Sequence, residues 1–328
     1  MNGILRDFRH AVCMSVLLPA LIFSASFQIT EGFGNQMPSF DAADAETANS
    51  SENEIHILLH DESGNVHSES LESYIVGAVM GEMPASFEIE ALKAQAVAAR
   101  TYALKNQQTG GKHGDGGVCT SPECCQAYCK EETFLLRGGS KEEVNKIKKA
   151  VEDTAGLVLC YDQALIEATY FSCSGGMTED AAEVWGVEYP YLVATDSPGE
   201  EYARYYYDSK QISFRNLCEA LQIQPEDVPD NWIGAVTYTA GGGVSTIELL
   251  GSVFTGVELR RILGLRSTLF DAEVTDDGIC FHTKGYGHRV GMSQYGANAM
   301  ALEGYTFAEI LAHYYPGTEL ENYVESGA

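Results

Sequence analysis

The clearest pattern of apolar and polar positions lies near the start of the folded region. Five apolar residues at helical spacing predict a helix that begins after Ser70 and presents one apolar face: Leu71, Tyr74, Ile75, Ala78 and Val79. Gly81 and Pro84 bracket the pair Glu82-Met83 and are expected to end this helix. The pattern therefore predicts an acidic side chain in a tight break between two helices.

A second, longer helix is predicted after the break, with Ser86 as its N-cap. Six alanines make this helix narrow: Ala91, Ala94, Ala96, Ala98, Ala99 and Ala103. Narrow helices approach their neighbours closely, so we expect it to be central in the fold. Lys93 and Arg100 share one face at helical spacing, and we expect both to face Glu82, although a solvated face explains such charges equally well.

The remaining elements are short strands and short helices. Strands come mostly as neighbouring pairs across glycine- or aspartate-containing turns, in residues 156–171, 232–250 and 270–283. Residues 140–153 predict an exposed helix with charges of both signs. This order predicts an α+β fold, with mixed, mostly antiparallel sheets formed from hairpins and packed around the alanine-rich helix.

The N-terminal region divides into three predicted segments ahead of a folded domain at residues 54–328. Residues 1–10 are a short basic N-terminus, residues 11–28 an apolar signal anchor, and residues 29–53 a polar, flexible linker. A cleaved signal peptide is the alternative, because small residues stand near Ser24-Ala25-Ser26. A buried core helix is disfavoured by the polar residues that follow. Under either export signal, the folded domain lies outside the cytoplasm.

The charge balance excludes some partners. The chain carries 47 acidic and 20 basic residues, a net charge of -27. Nucleic acids need a basic surface, so a nucleic-acid partner is excluded, and docking to an anionic membrane surface is disfavoured. An anionic substrate would need a local basic cluster to offset this field.

Nine cysteines are present, and four of them crowd into residues 119–129. With His113 they offer five soft ligands within 17 residues: His113, Cys119, Cys124, Cys125 and Cys129. Zinc takes four such ligands, and a site with four protein ligands is structural because no position remains for a water. One or two disulfides in an exported loop are the alternative.

Three separated motifs resemble the SpoIID/LytB family, in the family's order and over roughly residues 54–318. The first comprises Leu71-Glu72-Ser73-Tyr74, Glu82-Met83-Pro84 and the helix Ala91 through Tyr102. The second is Ser174 through Glu179 with Trp185-Gly186, and the third is Gly285 through His288 with Gly291 through Ala297. Lys284-Gly285-Tyr286 departs from the Arg-Gly-Trp of many members.

The resemblance implies a lytic transglycosylase that cleaves peptidoglycan glycan strands, preferring strands free of stem peptides, to 1,6-anhydro-N-acetylmuramic acid products. It implies a role in septal wall remodelling and engulfment during endospore formation, from the mother-cell membrane and facing the intermembrane space. It maps the catalytic acid to Glu82 and an essential helix arginine to Arg100. Implied partners are an amidase or endopeptidase such as stage II sporulation protein P, and other membrane engulfment proteins. Some members bind zinc through histidine and cysteine ligands at this spacing. In this sequence the matching residues are His113, Cys119, Cys124 and Cys125.

A transglycosylase needs only one carboxyl, whereas ordinary glycoside hydrolysis needs two. The 6-hydroxyl of N-acetylmuramic acid attacks its own anomeric carbon, so the nucleophile is already tethered. Glu82 would protonate the glycosidic oxygen and then accept the hydroxyl proton, which requires a pKa raised by burial among Met83, Val79 and Phe87. The alternative is a surface acid at a helix end.

Seven residues are candidates for binding the substrate. Arg100, Lys93 and Lys284 are candidates for the glycan carboxylates, Arg100 first because guanidinium pairs bidentately with carboxylates. The alternative for Arg100 is a structural ion pair with Glu82 or Glu72. Ser174 and three later residues are candidates for lining the sugar groove, unless glycine turns alone explain them: His288, Gln294 and Tyr295.

Two other functions compete with the transglycosylase. A glycan-binding activator of a partner amidase, as the LytB branch suggests, predicts glycan binding that survives loss of Glu82. A zinc hydrolase requires an open metal position, which the ligand-rich loop does not favour.

Overall fold

The structure is a computed structural model that describes residues 54–227 and 229–324. The predicted short N-terminus, the signal anchor at residues 11–28 and the linker at residues 29–53 lie outside the described residues. The described residues belong to one compact unit, Ser50–Ala328.

The α-helices of this part of the chain are, in order, α1 (Leu71–Glu82), α2 (Ile89–Thr109), α3 (Glu131–Leu136), α4 (Lys141–Glu152), α5 (Ala181–Trp185), α6 (Phe214–Leu221), α7 (Gly256–Leu263), α8 (Gln294–Leu302) and α9 (Phe307–Tyr314). One 3₁₀ turn covers Pro225–Asp227.

The strands are β1 (His56–His60), β2 (Val66–Ser70), β3 (Val118–Cys119), β4 (Leu157–Tyr161), β5 (Ala164–Leu165), β6 (Tyr170–Phe171), β7 (Tyr207–Ser213), β8 (Ile233–Tyr238), β9 (Val244–Leu249), β10 (Ser252–Thr255), β11 (Phe270–Thr275), β12 (Gly278–Lys284), β13 (Met292–Ser293) and β14 (Glu319–Asn322).

Small sheets confirm the predicted α+β class. Their orders are β2-β1-β3, β10-β9-β8, β11-β12-β7, β13-β6 and β14-β4-β5. The pairs β1-β3 and β6-β13 are parallel, and the other named pairs are antiparallel. The hairpins predicted at residues 232–250 and 270–283 form as β8-β9 and β11-β12.

Two hydrophobic cores hold this region together. The first surrounds α2, which buries its alanines and packs against α1, α4, α8, α9 and β4. The second is formed by α6, α7, β9 and β12, with Leu217, Leu259 and Phe281 fully buried. Burying apolar side chains in this way contributes about 1.5–3 kcal/mol for each large one.

Three local predictions are corrected. α1 does not stop at Gly81 but runs to Glu82, and Met83 is its C-cap. α2 begins at Ile89 with Glu88 as its N-cap instead of Ser86, and the backbone N–H of Glu88 donates to Asn298 Oδ1 at 2.7 Å. α4 is not an exposed helix, because it buries one apolar face: Val144, Ile147, Ala150 and Val151.

Within residues 54–227 and 229–324, none of the helices has the length and apolar character needed to cross a membrane.

Candidate active site

Glu82 lies at the C-terminal end of α1 and lines a cleft of about 820 Å³. Its Oε1 accepts a hydrogen bond from the backbone N–H of Ala127 at 2.5 Å, and its Oε2 accepts one from Gln294 Nε2 at 3.2 Å. Burial raises the pKa of this carboxyl, and the two hydrogen bonds oppose that rise. Glu82 therefore has the elevated pKa that a general acid needs, together with donors that stabilise its ionised form.

Gly81 explains why Ala127 can approach this closely. A Cβ at position 81 would lie 2.6 Å from the carbonyl carbon of Ala127, a distance that real Cβ atoms do not adopt. The absent side chain lets the loop backbone reach the end of α1. Glycine is required here for close approach, whereas the sequence suggested that it ends the helix.

Two tyrosines with buried hydroxyls, Tyr102 and Tyr170, line the same cleft as the carboxyl. Tyr170 lies in the cleft wall and lowers the pKa of Glu82, against the effect of burial. Neither its hydroxyl nor that of Tyr102 has a hydrogen-bond partner at standard distances among the described residues. Buried hydroxyls without partners are costly, so each favours a polar group within reach, and for Tyr170 that group is the carboxyl of Glu82.

The second wall of the cleft carries aromatic side chains and His288. Its ring packs against Phe171 and Trp185, with centroids 5.5 and 5.4 Å apart. Burial, with a contribution from Arg260, lowers the pKa of His288 to about 4. His288 is therefore neutral at pH 7 and can accept or donate a hydrogen bond without carrying charge.

His113 and three cysteines form a compact cluster beside the cleft. The ligand atoms of His113, Cys119, Cys124 and Cys125 all lie within 4.8 Å of one another. His113 Nε2 lies 3.7 Å from Cys124 Sγ and 3.5 Å from Cys125 Sγ, and the two sulfurs are 3.9 Å apart. Zn–S bonds of about 2.3 Å and Zn–N bonds of about 2.0–2.1 Å give tetrahedral edges of about 3.8 and 3.6 Å, so these atoms fit a zinc ion.

Neighbouring elements position this cluster. β3 pairs in parallel with β1, which fixes Cys119 opposite His60. His60 stacks on His113 with centroids 4.3 Å apart, and its Nε2 donates to Asp115 Oδ2 at 3.0 Å. Ala127, the donor to Glu82, follows Cys125 by two residues, so the cluster and the carboxyl share one loop.

Comparisons with known proteins agree with these motifs. A family model described as SpoIID, stage II sporulation protein, matches residues 60–161. Stage II sporulation protein D of Bacillus amyloliquefaciens is 33% identical over 322 residues, which covers 94% of this chain and 93% of that protein. The protein of the same name from Bacillus subtilis (strain 168) is 36% identical over 261 residues, covering 78% and 76%. This chain belongs to the SpoIID family. An amidase enhancer of Bacillus subtilis (strain 168) is also similar, at 31% identity over 301 residues, 75% of this chain and 40% of the enhancer.

In this SpoIID family member, Arg100 and Lys93 do not line the cleft, contrary to the prediction that they face Glu82. Arg100 is fully buried, and its Nε and Nη2 donate to the two carboxylate oxygens of Glu72 at 2.8 and 2.6 Å. Its Nη1 donates to the carbonyl of Leu157 at 3.1 Å. Lys93 instead pairs with Glu90 and Asp153 at 2.9 and 3.3 Å. Both side chains are therefore engaged elsewhere, as the structural alternative for Arg100 predicted.

We expect Arg100→Met to lower stability without changing glycan binding. Removing Arg100 leaves the carbonyl of Leu157 and the carboxylate of Glu72 without their charged donor, at a cost of about 1.5–3 kcal/mol. Thermal unfolding would measure this loss, with the exposed Arg215→Met as control. Weaker glycan binding at unchanged stability would contradict the structural role.

Three further candidates are absent from the cleft lining: Ser174 and Tyr295, predicted for the sugar groove, and Lys284, predicted for the glycan carboxylates. Ser174 is fully buried, and its Oγ donates to Glu200 at 2.7 Å. Lys284 Nζ lies over the rings of Tyr206 and Tyr207, 5.4 and 5.7 Å from their centroids. The Tyr295 ring packs against Phe87 and Tyr202. Of the predicted groove residues, Gln294 and His288 line the cleft with Glu82.

Glu200 is a structural residue that the sequence analysis missed. Its Oε2 accepts hydrogen bonds from the backbone N–H groups of Ser174 and Gly175 at 2.9 and 3.0 Å, as well as from Ser174 Oγ. Its Oε1 accepts from Ser197 at 2.8 Å and from Ser293. This buried carboxylate joins the second and third family motifs, which explains why serines recur in both. No local pattern around Glu200 indicated this, because its partners are distant in sequence.

Proposed function

We propose that this protein is a lytic transglycosylase that cleaves peptidoglycan glycan strands lacking stem peptides. The observation that carries the proposal is Glu82, a carboxyl whose pKa is raised by burial and which lies in an 820 Å³ cleft with a hydrogen-bond donor on each of its oxygens.

Glu82 supplies both proton transfers in the proposed reaction. It first gives its proton to the glycosidic oxygen, and the bond between that oxygen and the anomeric carbon of N-acetylmuramic acid breaks. The 6-hydroxyl of the same sugar then attacks the anomeric carbon and returns its proton to Glu82, so the enzyme is regenerated and no water is consumed.

The neighbours of Glu82 suit the two halves of this cycle. Burial favours the protonated acid before cleavage. Ala127 N–H and Gln294 Nε2 each donate to one carboxylate oxygen, so they stabilise the anion that exists after cleavage and hold it in one orientation. A general acid that must also act as a base needs both influences.

Product analysis tests the proposal directly. Stem-peptide-free glycan strands incubated with the protein should yield fragments ending in 1,6-anhydro-N-acetylmuramic acid, which are one water lighter than hydrolysis products by mass spectrometry. Fragments with reducing ends would instead indicate a hydrolase, which needs a second carboxyl.

The biological setting is part of the same proposal. The two relatives named stage II sporulation protein D support a role during endospore formation, in remodelling of the septal wall. Residues 11–28 would anchor the domain in the mother-cell membrane, with cleaved secretion as the alternative. Partners would be the glycan strands, a wall amidase or endopeptidase such as stage II sporulation protein P, and other membrane engulfment proteins.

The relative named amidase enhancer favours a second candidate function, activation of a partner amidase without glycan cleavage. Under that function, purified protein releases no fragments from stripped strands, yet binds them and raises the rate of an added amidase. Glu82→Gln would leave both effects unchanged.

We also propose that His113, Cys119, Cys124 and Cys125 hold a structural zinc ion. The fit of their distances to tetrahedral edges and the soft donor set support it. Bound zinc would cross-link the loop. The same loop carries Ala127, whose backbone N–H donates to Glu82. Fixing the cluster would therefore also fix this hydrogen bond.

We expect the purified protein to contain about one zinc ion per chain, and Cys125→Ser to lose it and to lower the thermal midpoint. Metal analysis combined with free-thiol titration measures this. Cys280→Ser is the matched control, because Cys280 lies on β12 outside the cluster. Protein without zinc, and with the three cysteine thiols either oxidised or freely titratable, would contradict the site.

A further inference from the structure

Arg260 is an arginine in the cleft wall that no prediction above uses. It lies in the last turn of α7, whose Leu259 and Leu263 belong to the second core. Its Nε donates to the carbonyl of Arg266 at 3.2 Å, and the same carbonyl accepts from the backbone N–H of Gly287 at 3.0 Å. Arg260 is therefore fixed to the segment that carries the cleft residues Tyr286 to His288.

The charged end of Arg260 has no protein partner in the described part of the chain. No carboxylate lies within 4.0 Å of it, and its two terminal amino groups have no acceptor, whereas the other arginines that are not exposed each pair with one: Arg100 with Glu72, Arg266 with Asp208 and Arg289 with Glu179. Burial lowers the pKa of Arg260, which reflects the cost of a desolvated charge. In a chain with 47 acids and 20 bases, an unpaired and half-buried guanidinium is a site for an external anion.

The other charges of the cleft make this position distinctive. Glu82, Glu123 and Glu167 also line it, so an anionic ligand meets acidic groups on the wall of the first core. Lys112 is the other cation there, but it is exposed, and its Nζ donates to the carbonyl of Cys124. Arg260 can therefore offer two parallel N–H donors to a carboxylate, which a lysine cannot.

We propose that Arg260 binds the lactyl carboxylate of an N-acetylmuramic acid residue seated in the cleft. This rests on the proposed function, because it assumes a glycan of that composition. Trp185 and Tyr286, exposed by 41% and 37%, line the same cleft as Arg260 and add aromatic surface that sugar rings can contact.

This contact gives a physical basis for selecting stripped strands. A stem peptide is joined through the lactyl carboxyl, so its attachment replaces a carboxylate by an amide. An amide has one acceptor oxygen and no charge, so it cannot form the bidentate pair with Arg260. The buried charge would then stay unpaired, which penalises the peptide-bearing strand.

Equilibrium binding tests this with the full-length chain carrying Glu82→Gln, so that no turnover occurs. The ligands are stripped glycan strands and the same strands with every lactyl carboxyl converted to its methyl amide. We expect the carboxylate strands to bind about 10- to 100-fold tighter than the amide strands. Adding Arg260→Ala should bring both ligands to the affinity of the amide. Adding Arg261→Ala, the neighbouring exposed arginine of α7 outside the cleft lining, should leave the preference intact.

Two results would overturn the role of Arg260: equal affinity for the two ligands with Arg260 present, or a preference that survives Arg260→Ala. The ligand comparison needs no Arg260 variant, so it decides even if that variant fails to fold. The outcome is separate from that of the proposed function. If the protein prefers the carboxylate strands but releases no anhydro fragments, the Arg260 proposal stands and the transglycosylase proposal is contradicted.

Discussion

Glu82→Gln should abolish the release of anhydro fragments from stripped glycan strands, lowering the rate by at least about 10²- to 10⁴-fold, the usual contribution of a general acid. Glutamine keeps the size of the side chain and an acceptor for Ala127 N–H, but it cannot give a proton to the glycosidic oxygen. The measurement is the initial rate of fragment formation by mass spectrometry, at equal concentrations of folded protein.

The folded state of this variant should be at least as stable as the wild type at neutral pH. A raised pKa means that the native state binds a proton more tightly than the unfolded chain does. Wild-type stability therefore falls as the pH rises from the ordinary glutamate range through the raised pKa, and the uncharged glutamine of the variant removes that fall. A loss of activity with equal or higher stability separates catalysis from structure.

Glu167→Gln is the matched control, because Glu167 is a second carboxyl of the cleft lining and is half-buried. A transglycosylase needs one carboxyl, so this variant should retain most of its activity. If both variants were inactive and the wild-type products carried reducing ends, a two-carboxyl hydrolase would replace the proposal. A fully active Glu82→Gln protein would remove Glu82 from the mechanism.

The pH dependence follows from the same carboxyl. The acid must be protonated when the substrate binds, so kcat/KM should decline as the pH rises through the raised pKa of Glu82. The titration of His288 should not affect the pH–rate profile near neutral pH, because its pKa of about 4 keeps the ring neutral there. The decline should be absent from the residual rate of Glu82→Gln.

Local patterns in the sequence predicted the elements that depend on local chemistry. Apolar spacing located α1, and turn residues located the β8-β9 and β11-β12 hairpins, because each of these depends on residues close in sequence. The parallel pairs β1-β3 and β6-β13 join segments 50 residues or more apart and leave no such signal. The same holds for Glu82 and Gln294, which are 212 residues apart and whose contact was not foreseen.

Charge placement was the weakest prediction, for a physical reason. The sequence predicts Lys93 and Arg100 in the cleft because a protein with a net charge of -27 needs a local cation to bind an anionic substrate. The same excess of acids also supplies nearby carboxylates, and Glu72, Glu90 and Asp153 pair with these two side chains. Arg260 lacks such a partner among the described residues. The helical spacing of α7 cannot predict this, because it does not show which distant carboxylates pack against the helix.

Arg289 provides the second large expected effect, on stability. Arg289→Met should lower the free energy of unfolding by about 3–5 kcal/mol, the usual cost of breaking a buried ion pair from one side. Its Nη1 lies 2.8 Å from Glu179 Oε1, and both side chains are at most 1% exposed. Three backbone carbonyls accept its remaining donors: those of Ser174, Met177 and Gly241. Methionine would leave these three carbonyls without this donor and the Glu179 charge without its cation, although Thr239 Oγ1 and the backbone N–H of Gly243 still donate to Glu179.

Arg289 also adopts a left-handed backbone conformation, with φ of 67°, which is unusual for a residue other than glycine. Such strain persists only where the surrounding contacts outweigh it. The surroundings of Arg289 connect the two cores: Val290 beside it is in the first core, whereas Gly241 lies in the turn between β8 and β9, and β9 belongs to the second. The Arg289–Glu179 ion pair therefore fixes the β8-β9 turn next to the segment that carries the cleft residue His288.

Urea unfolding of Arg289→Met, compared with Arg266→Met, measures the effect. Arg266 pairs with Asp208 at 2.8 Å, but the two side chains are 31% and 38% exposed, so its loss should cost at most about 1 kcal/mol. Adding Glu179→Gln to Arg289→Met should recover part of the loss, because the buried charge then has no need of a partner. Two results would contradict the stabilising role of the Arg289–Glu179 ion pair: an equal loss of unfolding free energy in the two arginine variants, or no recovery in the double variant.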